Sequence, residues 1–266
     1  MLKITFYLTF ICLSLNSIAQ SPWVNKKGSV YSQLSKSYLA YSNIFNTGPA
    51  DIVESNYETK DITIGLFGEY SLSNKTSVIL DLPFKNVQAN NQSLTGFGDP
   101  TIKIKHQILK KIPIAVYYGY TAPLSKRNGI LRTGYKRHIG ELGISAGIGK
   151  EKYYVYGGIG YRYREQIPNQ IIIDSEFGYK LQAAKRTLFL MLHLGGSLNN
   201  SKTEDHEGDE TVLYHNNGQY LSPGLKLAYN PFRNFWINLG ANFAITARNM
   251  GAAPLINFGL AYNLKK

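Results

Sequence analysis

Residues 96–108 read GFGDPTIKIKHQI, and this stretch decides the fold. After the turn-forming GFGDP, isoleucine alternates with lysine or another polar residue, which is the two-residue period of a β-strand with one apolar and one polar face. Two settings share this pattern. One is a half-buried strand of a soluble protein, and the other is a membrane-spanning strand whose apolar face meets lipid.

The chain begins with the features of a secretory signal peptide. Lys3 precedes an apolar stretch at residues 4–15 that is too short to cross a bilayer as a helix. Ser17-Ile18-Ala19 forms a small-x-small cleavage site. We therefore predict that residues 1–20 are a signal peptide, cut after Ala19 or Gln20, and that residues 21–266 form the mature protein.

The mature chain is expected to contain no disulfide and no lipid anchor. Cys12 is the single cysteine of the sequence, and it lies inside the apolar stretch without a lipobox before it. No later run of about 18 apolar residues predicts a transmembrane helix. An exported chain of this kind can still enter a membrane if it crosses with strands.

Twelve alternating segments of about ten residues or more follow, long enough to cross a bilayer as tilted strands. No composition shift or linker divides them, so we predict one domain. The predicted strands cover residues 28–41, 58–71, 76–87, 98–109, 112–122, 136–149, 152–164, 171–183, 187–198, 218–229, 234–247 and 254–264.

The connections between these segments alternate between short and long. Short turns at one rim and long loops at the other are typical of an up-and-down outer-membrane barrel, with turns in the periplasm and loops outside the cell. An even strand number places both termini on the short-turn side. The predicted short turns are 71–75, 109–113, 149–152, 184–187 and 230–234, and the predicted long loops are 42–57, 88–97, 123–135, 165–170, 199–217 and 248–253.

Each predicted strand has one apolar face and one face of glycine, small, polar and charged residues. In segment 187–198, for example, Leu188, Leu190, Leu192 and Leu194 share one side. Glycine is abundant on the opposite faces, and small inward residues suit the concave wall of a modest barrel. The predicted fold is therefore all-β, a single antiparallel transmembrane barrel of about 12 strands.

Aromatic residues on the apolar faces gather at the strand ends. Two such girdles, with aliphatic residues between them, are expected of a lipid-facing surface. We therefore predict that the isoleucines of segment 98–109 face lipid while Lys103, Lys105 and Gln107 face a wet lumen. His106 falls on the lipid side by parity. The predicted girdle residues are Tyr70, Tyr153, Tyr229, Phe235 and Tyr262 near the short turns, and Phe84, Tyr118, Tyr120, Tyr161 and Tyr163 near the long loops.

The polar faces supply a set of candidate residues for the pore. Segments 152–164 and 171–183 are joined by a short loop, so we predict an antiparallel pair in which opposed residue numbers sum to 336 or 338. Arg162 would then meet Asp174 or Glu176. The predicted charged lumen-lining residues are Lys103, Lys105, Glu141, Arg162, Arg164, Asp174, Glu176, Lys180, His193, Lys226 and Arg248.

The formal net charge is +12. A basic chain suits nucleic acid or an anionic membrane surface, and the export signal excludes nucleic acid. Basic residues crowd the short turns and also loop 123–137. The loop residues suit either the phosphates of lipopolysaccharide or solubility, and the sequence favours neither. They are Lys126, Arg127, Arg132, Lys136 and Arg137.

The sequence contains no convincing enzyme or metal motif, so we expect no cofactor and no metal. An outer-membrane phospholipase needs His and Ser two residues apart on a strand. Here the residue two positions after His215 is Asn217 instead of a serine, and His193 and Ser197 are four residues apart. The acidic cluster at residues 204–210 lacks the spacing of a calcium loop and is expected to be solvated.

The stretch GFGD, followed by PTIKIKHQIL, resembles the Gly-x-Gly-Asp signature of the phenol-degradation MetA-pathway, transporter-like family of outer-membrane barrels. The signature residues here are Gly96, Gly98 and Asp99. The resemblance implies an outer-membrane barrel that takes up small, often hydrophobic, compounds. Two departures from other outer-membrane barrels are a chain end at Tyr262-Asn263-Leu264-Lys265-Lys266, without a terminal aromatic residue, and the lack of a plug domain before the first strand.

We therefore expect a channel or uptake protein for passive passage of small molecules, hydrophobic ones included. The alternatives are an outer-membrane enzyme acting on lipid, and a structural or adhesive barrel whose loops bind a partner.

Overall fold

The computed structural model describes residues 21–46, 51–183, 186–200 and 213–264. The predicted signal peptide and the acidic cluster of residues 204–210 lie outside these described residues. None of the described residues belongs to a helix long and apolar enough to cross a membrane.

Twelve long strands form a closed antiparallel barrel, as predicted. Each strand pairs with its neighbours along the chain, and the last strand pairs with the first, Leu264 lying opposite Val30. Both described ends of the chain therefore lie on the short-turn side. The strands are β1 (Val30–Phe45), β2 (Ile52–Ser71), β3 (Thr76–Ala89), β4 (Thr101–Leu109), β5 (Ile114–Thr121), β6 (Ile139–Gly149), β7 (Tyr153–Arg164), β8 (Gln170–Ala183), β9 (Arg186–Asn199), β10 (Gln219–Phe232), β11 (Phe235–Asn242) and β12 (Leu255–Leu264).

Two predicted loops are largely strand. Much of the predicted loop 42–57 belongs to β1 and β2, which pair up to Phe45 and Ile52 after an irregularity near Tyr41. The predicted loop 88–97 is a hairpin in which Gln92–Phe97 returns along β3. Asn90 and Asn91 make its turn with φ of 50° and 57°, and asparagine tolerates this left-handed region better than most residues.

The wall separates an apolar outside from a polar inside. Leu192 is 56% exposed and Ile104 is 51% exposed, whereas the side chain of Lys105 is fully buried. A soluble barrel would have the opposite arrangement. The predicted faces of β4 and β9 are therefore confirmed, and an exposed belt of this composition fits lipid rather than water.

His106 and Lys36 are polar side chains within this belt. His106 lies on the outer face, as its parity predicts, and sits beside the short turns, where its Nδ1 lies 3.0 Å from Oγ1 of Thr76. Lys36 is exposed on the outer face of β1, opposite Ile64 and Phe258. A lysine in this setting can extend its aliphatic stem along the wall and bring its ammonium towards the headgroups.

The predicted register of β7 and β8 is wrong. Opposed residue numbers sum to 332, so Arg162 lies opposite Gln170, and Asp174 lies opposite Gly158. The sum is even, as predicted, so inward residues still lie opposite inward residues. The turn, however, is centred earlier, at Gln166, whose φ is 60°. Asn169 Oδ1 accepts a hydrogen bond of 2.9 Å from the backbone N–H of Arg164, which fixes the turn at that position.

Candidate pore and its two constrictions

A cavity of about 400 Å³ lies in the middle of the barrel. One part of its wall is apolar and comes from β1, β2 and β3, with Leu39, Phe67 and Ile79. The other part is polar and follows the barrel from β4 to β11. Its charged and hydrogen-bonding residues include Lys103, Glu141, Arg162, Asp174, His193, Tyr220, Lys226 and Asn242.

Glu141 on β6 joins two cations at the polar wall. Its Oε1 lies 2.8 Å from Nζ of Lys103 on β4, and its Oε2 lies 2.7 Å from Nη2 of Arg162 on β7. Arg162 lies directly opposite Glu141 in the β6–β7 ladder, so the strand pairing itself places this ion pair. The expected mixed-sign lumen is present, but the anion that Arg162 meets is Glu141 and not Asp174 or Glu176.

Asp174 pairs instead with a histidine. Its Oδ1 lies 2.7 Å from Nε2 of His193, and Nδ1 of the same ring lies 3.4 Å from Nδ2 of Asn242. Both ring nitrogens of His193 are therefore engaged. Ser197 Oγ is buried without a hydrogen-bond partner, so the structure brings no nucleophile from Ser197 to this histidine.

Two further ion pairs lie on the short-turn side of those already described, and one of them contains the cavity-lining Lys226. Lys226 on β10 contacts Glu176 at 2.7 Å, and Tyr154 donates a 2.6 Å hydrogen bond to the same carboxylate. Lys105 lies 3.0 Å from Glu69 on β2. Alternation predicted Lys105, Glu176 and Lys226 as lumen-lining residues, and the same alternation along β2 places Glu69 on the polar face.

An outer constriction occupies the long-loop end of the lumen. It consists of the buried residues Tyr41, Val87, Ala89, Leu131 and Leu213. Leu131 comes from the loop between β5 and β6 and is only 1% exposed, so this loop folds inward and places its tip among wall residues. Alternation along the strands does not predict this insertion.

The Gly-x-Gly-Asp residues hold that loop in place. Asp99 Oδ1 accepts a 2.9 Å hydrogen bond from the backbone N–H of Ser125, and Oδ2 accepts one of 2.9 Å from the backbone N–H of Lys136. A single carboxylate thus clamps both ends of the loop. A Cβ on Gly134 would collide with that carboxylate, and one on Gly98 would lie 3.0 Å from the backbone oxygen of Thr133, so the clamp needs glycine at close approach.

Arg164 also stabilises the loops at the outer constriction. It is 1% exposed, and it donates hydrogen bonds of 2.6 Å to the Pro168 carbonyl and 2.9 Å to the Asn216 carbonyl. Its guanidinium carbon lies 5.3 Å from the centre of the Tyr135 ring. Arg164 faces inward as predicted, but it ties loops together at the mouth.

Tyr214 lies in this assembly of loops. It packs edge-on against Tyr135 at 5.4 Å between ring centres, and Nζ of Lys85 lies 5.2 Å above its ring. Burial, with smaller effects from Asp61 and other acidic groups, raises the pKa of the Tyr214 phenol well above its ordinary value. The phenol is therefore neutral at physiological pH.

An inner constriction lies at the short-turn end. It consists of Trp23, Tyr154, Tyr156, Phe189 and Trp236, whose rings pack against one another at centre distances of 5.8 to 6.0 Å. Trp23 belongs to the segment that precedes β1. Pro22 beside it is fully buried, so this short segment enters the barrel mouth rather than trailing away from it.

Two further predicted pore residues, Lys180 and Arg248, do not line the cavity. Lys180 is half-buried on the inward face of β8, close to the short turns. Arg248 is displaced by a bulge. β10 pairs Gly224 with Asn242 of β11, and further along it pairs Gln219 with Arg248 of the short strand Thr246–Arg248, a shift of one residue. The shift turns Ala247 inward, 3% exposed, and moves Arg248 to the other face, so its assignment to the lumen is wrong.

Within the described ranges, no group of three or more histidine, cysteine, aspartate or glutamate residues is placed to hold a metal ion.

The comparisons with known proteins establish the fold. No protein-family profile matches the chain, and no curated protein is detectably similar to it in sequence. Among solved structures it is similar to the COG4313 outer membrane channel from Pseudomonas putida F1, with a TM-score of 0.69 and 13% identity over 91% of this chain and 97% of that one.

Two further solved structures have similar barrels. The TodX deltaS2S3 mutant, a monoaromatic hydrocarbon channel, matches with a TM-score of 0.54 and 8% identity over 95% of each chain. The translocator domain of the autotransporter NalP from Neisseria meningitidis matches with a TM-score of 0.51 and 12% identity over 90% of this chain and 89% of that one.

Proposed function

We propose that this protein is an outer-membrane channel for passive passage of small molecules, hydrophobic ones included. The observation that carries the proposal is the central cavity. It lies inside a closed barrel whose outside is apolar, and its wall combines paired charges with an apolar arc. Such a lumen solvates a small solute between two constrictions, and its charges set selectivity.

The family and location belong to the same proposal. The Gly-x-Gly-Asp residues have a structural task here, since Asp99 clamps the loop that narrows the pore. This task supports membership of the phenol-degradation MetA-pathway, transporter-like family. We propose that the signal peptide of residues 1–20 directs export and that the barrel inserts in the cell outer membrane. N-terminal sequencing of the mature protein would then begin at Gln20 or Ser21.

The exposed basic residues of the loop between β5 and β6 support contact with lipopolysaccharide. Lys126, Arg127 and Lys136 are exposed at the long-loop end, where that lipid would lie. Membrane lipid and lipopolysaccharide are therefore the proposed partners, together with a small solute.

Liposome swelling tests the channel. Proteoliposomes should swell in small solutes faster than protein-free vesicles, and planar bilayers should show small conductance steps. No swelling and no conductance from correctly folded protein would contradict the proposal. Release of fatty acid from the same vesicles would instead support an enzyme acting on lipid.

A further inference from the structure

One carboxylate of the central cavity differs from the others. Asp81 lies on the inward face of β3, and the ladders place it opposite Phe67 of β2 and Thr101 of β4. It therefore lies where the apolar arc of the wall meets the polar arc. Within the described part of the chain, no hydrogen bond or ion pair engages its carboxylate.

The other acidic residues of the lumen are already paired. Glu141 holds Lys103 and Arg162, Asp174 holds His193, and Glu176 holds Lys226. Lys85 and Lys103 act electrostatically on Asp81 from nearby positions. Their ammonium groups, however, are bound to Asp61 and Glu141 at 2.8 Å each.

Among the described residues between the two constrictions, the anions outnumber the cations by one. There are six anions and five cations, with His193 counted as neutral. The cations are Lys85, Lys103, Lys105, Arg162 and Lys226, and the anions are Asp61, Glu69, Asp81, Glu141, Asp174 and Glu176.

We propose that the cavity binds a small amphipathic cation, an apolar body that carries a protonated amine, with Asp81 as the residue that contacts the amine. The apolar body would lie on Leu39, Phe67 and Ile79, which line the adjacent wall. A half-buried carboxylate without a partner costs free energy. A ligand that supplies the missing cation therefore gains more binding free energy at Asp81 than at the paired carboxylates. This inference rests on the proposed function, because it names the class of solute that the pore favours.

An anionic solute has no equivalent position. Each cation that lines the cavity already contacts a carboxylate, so its charge is partly neutralised before an anionic solute arrives. A neutral apolar solute would use only the apolar arc. The ligand order expected of this cavity is therefore cation first, neutral alcohol second and anion last.

Isothermal titration of the folded protein in detergent tests this order. Benzylammonium, benzyl alcohol and benzoate share one apolar body and differ in charge, and titration of empty micelles corrects for partitioning. Benzylammonium should bind at least about tenfold more tightly than benzoate. Equal affinities, tighter binding of benzoate, or no binding of any probe would overturn the proposal.

Variants at Asp81 locate the site. Asp81→Asn should bring the affinities for benzylammonium and benzoate within about twofold of each other, and Asp81→Glu should restore the preference. Glu58→Gln removes one negative charge from the exposed part of β2 and should leave the preference unchanged. A preference that survives Asp81→Asn, in protein whose gel mobility shows a folded barrel, places the cation elsewhere and overturns the assignment.

Swelling of liposomes, measured in parallel, separates the two proposals. Charge-selective binding that depends on Asp81, in a protein that passes no solute, supports the site and contradicts the channel. Passage of solutes without that binding preference supports the channel and contradicts the site.

Discussion

Glu141 holds two cations of the polar wall at once, and we therefore expect the selectivity of the proposed pore to depend on it. In Glu141→Gln the charges of Lys103 and Arg162 lose their anion, so the lumen gains net positive charge. We expect the reversal potential in a salt gradient to shift towards anion preference. Glu58→Gln, on the exposed part of β2, is the matched control and should not shift it. An unchanged reversal potential in conducting Glu141→Gln would place these side chains off the ion path.

Leu190 tests which face of the wall meets lipid. It is 40% exposed on the outer face of β9, and an arginine in this belt should lower the free energy of unfolding by about 2–4 kcal/mol. Thr121→Arg, which points into the cavity, should cost much less. Ser197 is a poorer comparison, since it is inward but only 3% exposed. Folding titrations in lipid vesicles that give equal costs would contradict the assignment of faces.

Among the elements, the loop between β5 and β6 has the clearest task. It narrows the pore because the Asp99 carboxylate binds the backbone at both of its ends. Asp99→Ala removes both hydrogen bonds and should raise single-channel conductance and its fluctuations. Gly134→Ala should act in the same direction, because its Cβ would displace that carboxylate. Conductance like that of the unaltered protein in both variants would show that the clamp does not control the pore.

The segment before β1 narrows the opposite end. Trp23 packs edge-on against Tyr154 and Tyr156 at 5.8 and 5.9 Å between ring centres. Each such contact contributes roughly 0.5–1.5 kcal/mol, so Trp23→Ala should release the segment and raise conductance. Phe232→Ala is the control, since Phe232 is an outward aromatic at the same end, 71% exposed. A rise in both variants would point to a general loosening of the barrel.

At the scale of the whole molecule, the barrel closes without a free edge, as β12 pairs with β1 along nine positions. A closed hydrogen-bonded wall resists detergent, since no strand is left to begin unpairing. Unboiled and boiled samples should therefore migrate differently on SDS gels. Identical migration, with the protein in the soluble periplasmic fraction, would contradict the fold.

The sequence alone determined the architecture, because a tilted strand between lipid and a wet lumen alternates apolar and polar residues along most of its length. Strand number and the inward direction of residues such as Lys105, Glu141 and Lys226 follow from this alternation, and the sorting of short and long connections follows from the spacing of the segments. Only the tertiary structure decided which charges meet. Register depends on where each turn is centred. The turn at Gln166 places Arg162 opposite Gln170 of β8, so Arg162 forms its ion pair with Glu141 of β6, on its other side.

The alternation of apolar and polar residues also failed to predict two features of the pore. The bulge that turns Arg248 away from the lumen lies between β11 and the short strand that follows it, and alternation has no signal for a single inserted residue. The inward fold of Leu131 depends on Asp99, 32 positions earlier in the chain, and on wall residues of distant strands. Periodicity describes neighbours along one strand. Contacts between remote segments form only when the barrel closes and brings them to the same end of the lumen.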